Sequence, residues 1–367
     1  MTIRVLVVDD SAFMRRVISE AIAAQPDMEV AGVAINGLDA LVKVEQLQPD
    51  VVTLDVEMPD MDGLTALRHL MARYPRPVVM LSTMTQDGAV TTLRALSIGA
   101  VDFVAKPSAA ISLDFHRVKD ELLHKIRVAA KATARGPVVG GQGSVVGNQS
   151  ATRPPRQPIP LRSSGHWPPT TDHSFDRVVV IGSSTGGPRA LGTLIPALPA
   201  DGRTAYLIVQ HMPAGFTRSL AERLDSASQL EVREAAQGDQ LAAGLALLAP
   251  GNLHLRISPS GNVELDEGPR VHGVRPSIDV TLNSVVERYG NLGLAVILTG
   301  MGHDGTAGAV ALHEAGGAVL AEDESTCVVW GMPRAVYERG VTDRVVPLDG
   351  MAEALVAALA ARRVAVH

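Results

Sequence analysis

IRVLVVDD, residues 3–10, carries four apolar residues (Val5 to Val8) straight into two acids. Such a run has to be covered on both faces, as a strand of a parallel sheet flanked by helices is. Four further runs follow it: Glu29–Val33, Val51–Leu54, Val78–Leu81 and Val101–Ala105. Stretches of helical period separate them, at 12–24, 37–47, 63–73, 86–98 and 114–131. Five βα units over residues 1–125 predict a doubly wound α/β domain of the flavodoxin-like (βα)5 type.

Working outward, the same pattern returns after residue 176. Strands are predicted at Arg177–Ile181, Ala205–Val209, Leu245–Leu248, Leu294–Leu298 and Ala318–Ala321, with helices at 188–198, 217–227, 278–289, 305–315 and 350–363. His254–Ile257 and Val263–Leu265 flank SPSGN and read as a β-hairpin insertion in a second doubly wound α/β domain, residues 176–367. Between the domains, residues 126–175 are rich in Gly, Pro and Ser and read as a flexible linker. Charge divides at the same places: −5 over 1–125, +5 over 126–175 and −6 over 176–367. A basic connector thus joins two acidic domains.

The bulk properties exclude several classes. The chain has 367 residues, net charge −6 and one cysteine, Cys327. One thiol builds neither a disulfide framework nor a zinc site. No apolar run reaches the 18 residues of a membrane span, so direct membrane insertion is not expected. Net acidity argues against a general nucleic-acid binder, and no nucleic-acid partner is expected. The opening residues lack a secretory apolar region, so the expected location is cytoplasmic.

Ligands of open α/β sheets bind at the carboxyl ends of the strands. In the first domain those ends collect Asp9 and Asp10, Asp55, Ser82 and Lys106. Three carboxylates at neighbouring strand ends repel one another, an arrangement suited to a hard divalent cation such as Mg²⁺. Lys106 supplies a compensating charge and Ser82 a hydroxyl for an added oxyanion. With EMPDMDG after Asp55, the constellation resembles the response-regulator receiver domain. The resemblance implies that Asp55 accepts a phosphoryl group. It implies that Asp9, Asp10, Asp55 and the Glu57 carbonyl hold Mg²⁺, that Ser82 and Lys106 contact the phosphoryl group, and that Phe103 reports the state of the switch.

The first strand of the second domain ends in GSSTGGP, residues 182–188. A glycine-rich turn between strand and helix serves a phosphate cradle, a nucleophile elbow or a plain cap, and the motif alone leaves the three open. G-x-G-x-x-G is absent, and no Lys follows Lys131. The next strand leads to His211 in QHMPAGF, placed as a general base. A third leads to TGMGHDG, residues 299–305, where Asp304 can accept a bond from a His ring. Ser, His and Asp in this chain order differ from the α/β-hydrolase order.

With APGNLHL and RPSID, these motifs resemble the catalytic domain of the chemotaxis protein-glutamate methylesterases. The resemblance implies that Ser184 is the nucleophile, His211 the base and Asp304 its orienting carboxylate. Thr185 would line the site and the Met301 backbone N–H would meet the oxyanion. No cofactor is implied for the ester chemistry. Methyl-accepting chemoreceptors would be the substrate, with deamidation of their glutamines a second reaction, and a chemotaxis histidine kinase the phosphodonor. Two positions depart from the pattern: Ser183 stands where Ala is usual, and His303 where Asn is frequent. Arg275 reads equally as a groove residue or a helix-start residue. The receiver is expected to pack over Ser184 until Asp55 is phosphorylated. A receiver-driven transcription factor would need a basic reading face, and a non-catalytic docking module would not need Ser184.

Overall fold

The structure, a computed structural model, describes residues 2–83, 85–106, 112–132 and 175–361. The first domain runs β1 (Ile3–Val8), α1 (Ala12–Ala23), β2 (Met28–Ala34), α2 (Gly37–Leu47), β3 (Val51–Asp55), α3 (Gly63–Arg73), β4 (Val78–Thr83), α4 (Gln86–Ile98), β5 (Asp102–Lys106) and α5 (Ser112–Ala132). Its strands form one parallel sheet in the order β2-β1-β3-β4-β5. The chain winds outward in both directions from β1 and β3, so a crevice opens at the carboxyl ends of those two strands. All five residues of β3 are buried, as the apolar run requires. Helix α5 continues to Ala132, into the stretch expected to be linker; residues 133–174 lie outside the described residues.

The second domain runs β6 (Arg177–Ser183), α6 (Gly187–Ala197), β7 (Thr204–Gln210), α7 (Phe216–Ala227), β8 (Glu231–Glu234), β9 (Leu245–Leu248), β10 (His254–Ile257), β11 (Val263–Asp266), α8 (Ile278–Tyr289), β12 (Gly293–Ile297), α9 (Thr306–Glu314), β13 (Ala318–Glu322), α10 (Met332–Glu338), β14 (Arg344–Val346) and α11 (Leu348–Ala361). Seven strands make a parallel sheet, β14-β13-β12-β6-β7-β9-β8. The predicted hairpin is present as antiparallel β10 and β11, outside that sheet. Two edge strands, β8 and β14, and one short α-helix, α10, were not anticipated. The segment EVRE of β8 has three charged residues and a single apolar one, and lacks the continuous run that marked the buried strands.

The order of the seven strands sets the site. β6 lies between β7 and β12, so the loops after all three emerge side by side. The sheet reverses its winding at β6, which again places the crevice at the carboxyl ends.

The two domains are packed together. Helix α4 lies against α6 and α7. Leu93, Leu96 and Phe103 of the first domain share one buried apolar cluster with Phe216, Leu220 and Leu224 of the second. The rings of Phe103 and Phe216 are 4.5 Å apart and tilted by 30°, a pairing worth about 0.5–1.5 kcal/mol beyond its buried area. Arg223 donates to the Leu93 carbonyl at 2.5 Å.

Candidate functional site

Two sites stand at the strand ends, one in each domain. In the first, Asp9 follows β1 and Asp55 closes β3; both are buried, while Asp10 is exposed. One oxygen from each of the three carboxylates lies within 4.8 Å of the others. Lys106, the last residue of β5, bridges two of them, at 2.8 Å from Asp9 Oδ2 and 2.7 Å from Asp55 Oδ2. Burial and the neighbouring Asp9 charge push Asp55 up to about 6, against the opposing pull of Lys106. On Lys106, the carboxylates of Asp55 and Asp9 raise the pKa more than burial lowers it.

The local chain explains the crowding. Asp62 caps α3 by accepting from Thr65 N at 2.7 Å, and Gly63 lies so close to Asp55 that an added Cβ would strike its carbonyl. The glycine thus brings the α3 start against the acid pocket. Ser82 is buried, but its hydroxyl donates to the carbonyls of Gly88 (3.2 Å) and Thr83 (3.3 Å), away from the Asp55 carboxylate. Glu57 is exposed, and its own N–H bonds Asp55. Phe103 is buried against Phe216, as described above.

In the second domain Ser184, His211 and Asp304 follow β6, β7 and β12, three neighbouring strands. His211 Nε2 lies 2.8 Å from Asp304 Oδ2. Asp304 is buried and also accepts from Ser277 Oγ (2.7 Å), Ile278 N (2.7 Å) and Asp279 N (3.1 Å). These donors form the start of α8, where unpaired N–H groups and the helix dipole favour an anion. Burial alone would raise the pKa of Asp304; His211 and the α8 donors outweigh it and hold the carboxyl at about 2. Asp304 is therefore a carboxylate and can only accept, so Nε2 of His211 carries the proton. Nδ1 is the nitrogen left over.

Ser184 is half-buried, whereas Ser183 is fully buried and donates its hydroxyl to Gln210 Oε1 at 2.7 Å. The extra hydroxyl at 183 is thus engaged within the fold. Gln210 also donates to the Ser184 carbonyl at 2.9 Å, and Ser184 N donates to the Thr299 carbonyl at 3.0 Å. Among the described residues no hydrogen bond joins Ser184 Oγ to His211. Gly300 is required beside this turn: a Cβ there would stand 2.7 Å from Ser184 Cβ. That close approach brings Met301 alongside, and its backbone N–H has no acceptor among the described residues.

Thr185 is buried and donates to Asp102 Oδ2 of the first domain at 2.5 Å. Asp102 is held in turn by Lys125 (3.1 Å), which also donates to the Phe103 carbonyl at 2.5 Å. No sequence pattern marks Asp102, Lys125, Gln210 or Ser277 as site residues; only the Ser277 position, a serine opening an apolar helix, carries a capping signal. His303 is exposed and edge-on to His272, with 4.3 Å between ring centres, and makes no bond to Asp304. Arg275 donates to the carbonyls of Glu267 and Gly268, which ties its own loop together. Cys327 is buried.

A receiver domain placed before an α/β output domain defines the class: residues 5–114 match the model of the response regulator receiver domain, and residues 179–355 that of the CheB methylesterase. A protein-glutamate methylesterase/protein-glutamine glutaminase of Symbiobacterium thermophilum is 51% identical over 97% of this chain and 97% of its own length. One from Thermotoga maritima is 46% identical over 96% of this chain and 98% of its own. Among solved structures, the CheB methylesterase catalytic domain of Thermotoga maritima is 49% identical, with a TM-score of 0.48, covering 49% of this chain and 97% of that one. The chain belongs to the protein-glutamate methylesterase/protein-glutamine glutaminase family.

Proposed function

We propose that this chain is a phosphorylation-gated hydrolase that removes methyl groups from glutamyl methyl esters of chemoreceptors, and the amide from their glutamines. The observation that carries the reading is the 2.8 Å bond between His211 and Asp304 at strand ends flanking Ser184. His211 Nδ1 takes the Ser184 proton as Oγ attacks the acyl carbon. The oxyanion meets the Met301 N–H, a donor type worth roughly 3–4 kcal/mol in serine hydrolases. His211 returns the proton to the departing methanol or ammonia, and water releases the glutamate by the reverse steps. Asp304 fixes the tautomer and stabilises the imidazolium without taking the proton. Ser184 and His211 close their hydrogen bond when substrate binds, as such contacts commonly tighten on binding.

Asp55 is the phospho-acceptor. Three converging carboxylates are the donor set of a hard cation, so Asp9, Asp10, Asp55 and the Glu57 carbonyl would hold Mg²⁺, which offsets negative charge during phosphoryl transfer. Phosphorylation adds roughly 1.5–2 negative charges and strong acceptor oxygens. Ser82 then leaves the Gly88 carbonyl for the new acceptor, and Lys106 follows. Strand β4 thereby shifts against β5, which carries Asp102 and Phe103. Those residues hold Thr185 and Phe216, so the receiver lets go of the Ser184 mouth. A chemotaxis histidine kinase supplies the phosphoryl group, and kinase, receptor helices and enzyme meet in the cytoplasm.

The test of the chemistry is labelling by a serine-directed phosphonate. Modification of the Ser184 peptide, abolished by His211→Gln, supports the reading. Equal labelling of Ser183, or none in a chain that hydrolyses its ester, refutes it.

A further inference from the structure

Behind Asp304 lies a second buried carboxylate, Asp279, that the chemistry above does not use. It sits in the first turn of α8 and accepts from Gly308 N (2.7 Å) at the start of α9 and from His272 Nε2 (2.9 Å). Its backbone N–H donates to Asp304 Oδ1. His272, Asp279 and Asp304 each present an atom within 4.8 Å of the other two. Two His–carboxylate pairs therefore share one helix start: His211 with Asp304 on the Ser184 side, and His272 with Asp279 on the outer side.

We propose that Asp279, held by the His272 hydrogen bond, is a positioning residue whose charge strengthens His211 as a base through Asp304. The inference rests on the hydrolase reading given above. Two anions this close repel, and each needs its own donors. Asp304 has four. Asp279 has the Gly308 N–H and His272, and burial together with the Asp304 charge pushes its carboxyl upward against them. Loss of His272 removes one of the two donors that oppose that rise, so the negative charge near His211 is weakened.

The other titratable groups nearby are turned elsewhere. His303 meets His272 edge-on. On the same loop Arg270 donates to Asn252 and Gly273, and Arg275 to Glu267 and Gly268. On β10 His254 bonds the Pro269 carbonyl, and Arg256 is exposed. On α9 His313 and Glu314 lie at the opposite end of the helix from Gly308. Among the described residues, the Asp279 carboxylate thus bonds Gly308 N and His272, and meets His211 through Asp304.

The experiment is the pH profile of kcat/KM for methanol release by the full chain, with phosphodonor and Mg²⁺ held constant. Its acid limb reports protonation of the free base. Asp279→Asn and His272→Ala are expected to move that limb down by about half to one pH unit, the size of one charge removed at this range. Their plateau rates should stay within about tenfold of wild type. His272→Gln retains an N–H donor and should keep the wild-type limb. The imidazole titration of His211, followed by NMR in a Ser184→Ala chain, reads the same shift without turnover. A purely structural role would lower stability and plateau together and leave the limb in place; an unmoved limb in Asp279→Asn overturns the proposal. So does a limb in His272→Ala that matches wild type. A wild-type chain without any hydrolysis would instead refute the hydrolase reading.

Discussion

Asp102 accepts a hydrogen bond from Thr185 at 2.5 Å, so a receiver carboxylate holds the residue next to Ser184. The bond is short and charge-assisted, and its neighbours extend it in both directions. Lys125 links Asp102 to the Phe103 backbone, and the Phe103 ring lies on Phe216 at the start of α7. The turn that presents Ser184 is therefore tied to the receiver strand that ends at Lys106. One short segment, Asp102 to Lys106, thus touches both the Ser184 turn and Asp55.

Removing that tie should release the enzyme. A hydrogen bond to a charged group contributes about 1.5–3 kcal/mol, roughly tenfold to a hundredfold in the docking equilibrium. Asp102→Ala should raise methanol release without phosphodonor by about tenfold and leave the phosphodonor-stimulated rate near wild type. Lys125 keeps its pairing with Glu121 at 2.9 Å, which limits damage to the receiver. An unchanged resting rate would show that Asp102 plays no part in the gate.

The two adjacent serines should behave oppositely. Ser184→Ala should lower kcat by about 10⁴-fold or more, as loss of a hydrolase nucleophile does. Ser183→Ala removes only the bond to Gln210 and should cost less than about tenfold in rate, with a stability loss of about 1–3 kcal/mol. Rates for both variants, read beside their melting curves, separate the two roles.

Acid stability should report Asp304. Its carboxyl is held at about 2, below the ordinary 3.8, so its stabilising contribution is present above the ordinary value and is lost as pH falls through the folded one. Asp304→Asn should therefore be less stable than wild type at pH 7. The gap should narrow as pH drops from about 4 toward 2. Urea midpoints of the second domain across that window check this; a gap independent of pH would contradict the assigned charge.

Magnesium should stabilise the first domain. A ligand that binds only the folded state adds about 2.7 kcal/mol at a hundred times its Kd, several degrees for a domain of this size. Mg²⁺ at a hundred times its measured Kd should raise the receiver melting transition by that amount in wild type, and the same concentration should not in Asp9→Asn. Calorimetry of the full chain resolves it, since the second domain should not respond.

Much of this was legible in the sequence, and the limits have physical causes. Continuous apolar runs such as Val178–Ile181 announce strands covered on both faces, and the residues closing them face the crevice whatever the loops do. The placement of Ser184, His211 and Asp304 at neighbouring strand ends was readable for that reason. Strand β8 and helix α10 were not, since an edge strand needs no apolar run and a helix of two turns shows little period. The pairing of His211 through Nε2 depends on how α8 presents Ser277 and Ile278, which no local pattern encodes. The bond between Asp102 and Thr185 joins residues 83 apart in sequence and exists only through domain docking. Asp279 sits in the RPSID motif, but its partner His272 has left-handed backbone (φ 52°) in a loop that no pattern predicted.

The most direct test of the gated-hydrolase account is release of labelled methanol from membranes bearing methylated chemoreceptors. Wild type, Ser184→Ala and Asp55→Ala would be compared with and without a small phosphodonor and Mg²⁺. The account predicts release that vanishes in Ser184→Ala and rises with phosphodonor only where Asp55 is present. Release that persists in Ser184→Ala, or that rises equally in Asp55→Ala, would contradict it.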